Sequence, residues 1–306
     1  MGDLVAKRYP TKLFANLADH TYVECGTGAC GWSCWGGKTG GTELRRGSGS
    51  TLRADRIAGS DERAGITCYL VNGVCHQAAN RILLPASITV MGARGYDVSE
   101  AMFGTYGRPG SVLGLCRAPF DQQPGVSGDL PQCAAPAPVT TKRFARSRSL
   151  RATSSRARAE ATRERRYLAG VLEIYRKARP RVSSRHSARR FAAGQNMEAF
   201  HVELFMHKVD FNLGSKADRS LKARLAAIRR STERSRLKIE ERFANGEMSA
   251  SEFVKEFDHE TIVFQLAAAG AMKSTEYQKL FGLKRGETVV LADPRIVKRA
   301  LRRRPG

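Results

Sequence analysis

The chain has 306 residues, of which 42% are hydrophobic, enough to build a real core and to exclude disorder of the whole chain. The formal charge of +23 is uneven: residues 1–140 carry 13 Lys/Arg against 11 Asp/Glu, residues 141–190 carry 17 against 3, and residues 191–306 carry 22 against 15. The first twenty residues hold Asp3, Lys7, Arg8 and Lys12 without a continuous apolar run, so they read neither as a secretory signal nor as an anchor. No apolar stretch is long enough to span a bilayer, and the expectation is a soluble, cytoplasmic protein. Seven cysteines, an odd number confined to the first half, favour reduced thiols with a chemical, metal or packing role over a secreted disulfide framework.

In chain order, residues 13–24 (LFANLADHTYVE) open apolar and read as a strand through HTYVE. Cys25 to Gly41 is a glycine-dense loop carrying Trp32 and Trp35, whose large apolar faces suit a substrate-facing wall or a pin to the core. GITCYLV (65–71) reads as a short strand ended by the turn signal Asn72-Gly73. CHQAANRILL then places Cys75, Ala78, Ala79, Ile82 and Leu83 on one helical face, and Pro85 stops the helix. ASITVMGARGY reads as a further strand returning to a glycine turn, which completes a small α+β unit over residues 1–120.

Residues 121–165 are Pro/Ala- and then Arg-rich and read as a linker. Residues 166–306 are expected to be mainly helical, a support or partner-binding domain. Leu168, Val171, Leu172 and Tyr175 form an apolar stripe there, Ser249 or Ser251 caps a helix, and Asn245-Gly246 divides two helices expected to pair.

Cys75 is the candidate nucleophile. It follows a turn and begins a helix, where the first backbone N–H groups favour a thiolate and can receive an oxyanion. A thiol nucleophile needs an imidazole. His20, near the start of an ordered strand, is the better base, because His76, next to Cys75 on the helix, points about 100° away. The residue orienting His20 stays open among Glu24, Asp19, Asn72, Gln77 and Asn80. Glu24 shares a strand face with His20 but lies about 13 Å along an ideal strand.

In the order of these residues, DHTYVE before NGVCHQAAN, the stretch 13–107 resembles the permuted branch of the papain-like thiol hydrolases and acyltransferases, in which the histidine strand precedes the cysteine helix. The resemblance implies a permuted papain-like domain with His20 and Cys75 as its catalytic pair. It also implies passage of an amide, peptide or ester acyl group through a thioester, without a cofactor.

Arg94 and Tyr96, with Tyr106 and Arg108 nearby, supply donors and aromatic faces for binding a carboxylate or shaping an acyl pocket, or else pack as ordinary aromatics with solvated arginines. The competing reading is a zinc-stabilised nucleic-acid-binding or interaction protein. For that reading Cys25, Cys30, Cys34 and Cys68 are the alternative ligands, and the basic stretch 141–190 meets phosphates. Paired C-x2-C knuckles, HExxH and a phosphate loop are all missing from the sequence.

Overall fold

The computed structural model describes residues 2–10, 18–28, 31–32, 41–63, 70–71, 73–108, 148–178, 197–214 and 217–292. Four strands come first: β1 (Gly2–Pro10), β2 (Asp19–Cys25), β3 (Gly31–Trp32) and β4 (Thr42–Gly49). They form one antiparallel sheet in the order β3-β2-β1-β4, with Tyr9 opposite His20, Ala6 opposite Val23 and Leu4 opposite both Cys25 and Gly47. β3 pairs only with Val23 and Glu24, so residues 19–22 of β2 have no strand partner on that side among the described residues. The remaining elements are helical: α1 (Thr51–Arg63), α2 (Cys75–Leu83) with a 3-10 turn (Leu84–Ala86), α3 (Tyr96–Phe103), α4 (Arg148–Ala178), α5 (Met197–Leu213), α6 (Arg219–Ala244), α7 (Ala250–Ala271) and α8 (Ser274–Phe281).

Alternation along the strands decides which face is covered. Leu4, Ala6 and Val23 share one face and are buried against Ala54 and Ile57 of α1 and Ala79, Ile82 and Leu83 of α2. Each Leu, Val or Ile side chain among them contributes about 1.5–3 kcal/mol by leaving water. α2 ends where Pro85, in the 3-10 turn, removes a backbone donor. Gly49 is required beside it, since a Cβ there would lie 2.8 Å from the carbonyl carbon of Pro85.

β2 and α2 occupy the positions read from HTYVE and CHQAANRIL. The expected strand over ASITVMGARGY is absent: residues 88–95 are irregular backbone and turns, followed by α3. The side chains explain it. Asn80 Oδ1 accepts the Val90 N–H at 2.8 Å, so a helix side chain satisfies a backbone donor that a strand would have paired. Most of GITCYLV lies outside the described residues.

The stretch read as linker, 121–165, is helical from Arg148 onward. The apolar stripe Leu168, Val171, Leu172 and Tyr175 is buried as read, against Met197, Phe200 and Leu204 of α5. Asp218 caps α6 by accepting from the N–H groups of Ser220 and Leu221, and Ser249 caps α7 in a reciprocal pair with Glu252. α6 and α7, joined through Asn245-Gly246, pack against each other. Among the described residues, no helix is long and apolar enough to cross a membrane.

The small strand region and the helical region share a core. Leu70, Val71 and Val74 before α2, and Val98, Met102 and Phe103 of α3, cluster with Phe205, Phe253, Phe257 and Phe264 of the long helices. Phe103 stacks on Phe257 with centroids 5.9 Å apart.

Candidate active site

The site begins at the unpaired edge of β2. The N-terminus of α2 abuts that edge: the Cys75 thiol lies 4.0 Å from the Asp19 carbonyl oxygen, with Thr21 close by. Val74, extended at the N-cap, donates its N–H to Gln77 Oε1 at 3.0 Å and so sets where the helix begins. Gly73 precedes it because a Cβ there would come within 2.7 Å of the Gln77 Cβ.

His76 belongs to the framework. Its Nδ1 pairs with Ser99 Oγ at 2.8 Å and its Nε2 lies 3.0 Å from the Asp19 carbonyl oxygen, so one imidazole ties α2 to both β2 and α3. Burial lowers its pKa to about 4. His20 follows Asp19 in β2, and its ring packs on Tyr9 at 4.9 Å between centroids. It too is buried, and burial lowers its pKa to about 4, which makes it a neutral imidazole at neutral pH.

The thiol behaves differently from its sequence reading. The helix start was expected to lower its pKa; instead burial pushes it up, outweighing Thr21 and the first α2 amides, which favour the thiolate. Desolvation of a negative sulfur here exceeds what a few N–H groups return. At rest the Cys75 thiol and the His20 imidazole are therefore each neutral.

The residues weighed as orienting groups are engaged elsewhere. Glu24 meets Lys7 at 2.7 Å and accepts the Tyr22 hydroxyl at 3.1 Å. Gln77 reaches Ser99 and the Gly104 carbonyl, and Asn80 donates to the Thr105 carbonyl and the Tyr96 hydroxyl. The Asp19 carboxylate is bracketed by Arg8 and Arg94, and Asn72 lies outside the described residues.

Trp32 is half-buried, its indole N–H donating to Asp55 Oδ1 at 2.9 Å, which fastens β3 to α1. Trp35 lies outside the described residues. Arg94 stays beside the site, 46% of its side chain exposed. Tyr96 corrects the reading that gave it to the substrate: it is fully buried, its hydroxyl donating to Glu100 Oε1 at 2.8 Å, because α3 turns it into the core. Arg108 is likewise removed from any pocket, buried between Glu233 and Glu240.

Cys25 is disulfide-bonded, which corrects its reading as a reduced thiol and takes it out of a zinc-thiolate set. Cys30, Cys34 and Cys68 lie outside the described residues. Among the described residues, no group of three or more His, Cys, Asp or Glu side chains could hold a metal ion.

Thr21, Ser99 and Arg8 were missed in the sequence. The only available hint was the even-odd spacing of β2, which puts Thr21 out of phase with His20. No family model matches the chain, and neither a curated protein nor a solved structure matches it.

Proposed function

We propose that the protein is a cysteine-dependent acyl-transfer enzyme, a hydrolase or acyltransferase of amide or peptide substrates, with Cys75 as nucleophile and His20 as base. The observation that carries this reading is the seating of a free Cys75 thiol, at the first residue of a helix, against residues 19–21 of the strand that bears a neutral His20.

The chemistry follows from those protonation states. As a bound acyl carbon approaches, His20 takes the thiol proton and the sulfur forms the new S–C bond. The carbonyl oxygen, now negative, is received by the first N–H groups of α2. Collapse of this intermediate breaks the C–N bond, and the leaving amine carries away the proton from the imidazolium. Water or a second amine, deprotonated by His20, then attacks the thioester, releases the acyl group and returns the thiol. Proton transfer coupled to attack suits a pair that rests neutral, since no ion pair has to be maintained beforehand.

The test is intact-mass detection of an acyl adduct after exposing the full chain to activated amide and thioester donors, followed by peptide mapping. One adduct is expected, on Cys75. It disappears in Cys75→Ala, and its rate falls by about 10²-fold or more in His20→Ala. A folded protein whose Cys75 resists both acylation and alkylation rules the enzyme out.

A further inference from the structure

Beside Cys75 the structure carries a charge arrangement the reaction itself does not use. Asp19 presents its carbonyl oxygen to the Cys75 thiol and its carboxylate to two arginines. Arg94 holds that carboxylate twice, through its backbone N–H at 2.9 Å and its Nε at 3.0 Å, while the Asp19 N–H returns a bond to the Arg94 carbonyl at 3.0 Å. Arg8 binds from the other side through one terminal nitrogen, shared between Asp19 Oδ2 at 3.0 Å and the Gly92 carbonyl at 3.2 Å. The carboxylate is buried, with 1% of the side chain exposed, whereas the arginine side chains are 34% and 46% exposed.

Two guanidinium charges therefore meet one carboxylate, and the surplus positive charge faces outward. Among the described residues, the two terminal nitrogens of Arg94 make no hydrogen bond, which leaves an open fork of the geometry that pairs with a carboxylate. The backbone and side-chain oxygens of one aspartate are close neighbours, so the Arg94 Nε lies at most about 12 Å from the sulfur. That span is one to three residues of extended chain. The nearby Lys7 charge is matched by Glu24 and adds little.

Resting on the acyl-transfer reading above, we propose that Arg94, with Arg8, is a specificity determinant that selects acyl donors bearing a carboxylate within a few residues of the scissile carbonyl, that is, acidic peptides or amides. Asp19 holds the two guanidinium groups in place and keeps its own charge out of the substrate's reach.

The test compares alkylation of Cys75 by iodoacetate and by iodoacetamide on the full chain, each rate divided by that of glutathione under the same conditions. A unit charge at about 10 Å, in a medium between protein surface and water, favours the anionic reagent by roughly twofold to tenfold. The preference is expected to fade between 20 and 500 mM NaCl. Arg94→Gln and Arg8→Gln should bring the ratio toward that of glutathione, and Arg94→Lys should retain most of it. If the ratio in wild type equals that of glutathione at low salt, or if Arg94→Gln leaves it unchanged in a folded protein, the arginines serve only to fasten Asp19 and the inference fails, while the nucleophile reading stands. If neither reagent labels Cys75, the nucleophile reading fails and the inference falls with it. Should the variants fail to fold, the salt dependence of the wild-type ratio decides alone.

Discussion

The replacement Glu233→Gln tests the packing between the two regions most severely. Glu233 is completely buried on α6 and accepts from three arginines: Arg108, Arg229 at 3.1 Å and Arg236 at 3.4 Å. Burial alone would raise its pKa, but the surrounding guanidinium groups, Arg108 foremost, hold it far below the usual carboxylate range. Glutamine keeps the shape and removes the charge, leaving three buried arginines with Glu240 as the remaining carboxylate of the cluster. Removing one partner of a buried ion pair costs about 3–5 kcal/mol, because the partner charge stays desolvated. At about 2–4 °C per kcal/mol, that corresponds to a Tm lowered by roughly 10 °C. Urea denaturation followed by circular dichroism measures the free energy directly. A depressed carboxylate pKa contributes stability that is complete above the unfolded value and is lost as pH falls through the folded one, so the deficit should be constant from pH 6 to 8 and shrink only in strong acid. It should also survive 0.5 M NaCl, since no water reaches the pair. Glu240→Gln should cost less, because burial raises the Glu240 pKa and its Oε2 has no hydrogen-bond partner. A loss below 1 kcal/mol for Glu233→Gln, or the reverse order of the two variants, refutes the reasoning.

Other consequences are as specific. His76 stays neutral in the fold down to about pH 4, whereas the unfolded chain protonates it near 6.5, so stability is lost as pH falls between those values, by about 2 kcal/mol at pH 5. His76→Asn should flatten that part of the pH dependence in urea titrations; an unchanged slope contradicts it. Gly170→Ala puts a methyl 2.4 Å from the His207 ring between α4 and α5, an overpacking that should cost about 1–3 kcal/mol and be visible as a lowered Tm. Alkylation of Cys75 against pH should show a half-point above that of an ordinary thiol; one near 7 would mean that the thiolate is favoured after all. Lys208→Met strips the buried partner of Glu100, 2.7 Å away, and should both destabilise the protein by about 3 kcal/mol or more and change the alkylation rate of Cys75; destabilisation with unaltered Cys75 reactivity separates the two regions.

What the sequence made legible were features written in local pattern. β2 centres on the strand formers Thr21, Tyr22 and Val23, α2 carries its apolar residues three and four apart before a proline, and the capping serine of α7 precedes a glutamate at the right distance. β1 and β4 escaped because their residues are polar or glycine at many positions: Lys7, Arg8, Arg45 and Arg46 sit in strands held by a central β1 ladder rather than by their own propensity. α6 buries Arg229, Glu233, Arg236 and Glu240, spaced three and four apart, alongside Leu221, Leu225, Thr232 and Ile239. Hydrophobic periodicity cannot find the charged part of such a face. At the site, the placement of Cys75 at a helix start could be read locally, but the sign of its pKa shift could not, since burial comes from elements distant in sequence.

α3 explains why the helical region bears on the site. Ser99 on one turn holds His76, the neighbour of Cys75, and Glu100 and Asp97 on the same helix grip Lys208 of α5. At its C-terminal end, the Met102 carbonyl accepts from Arg229 at 2.9 Å and Arg236 at 2.8 Å, both on α6. Arg236 further lies beside the stacked pair of Phe103 of α3 and Phe257 of α7, 4.9 Å from each ring centre. An eight-residue helix has little stability alone. Its position is set by these buried charges, and it transmits that position to α2 through the Ser99 and Tyr96 hydroxyls. The edge of β2 and the start of α2 thus meet at Cys75 in a geometry that the later helices help to hold, so the proposed nucleophile depends for its placement on helices distant from it in sequence.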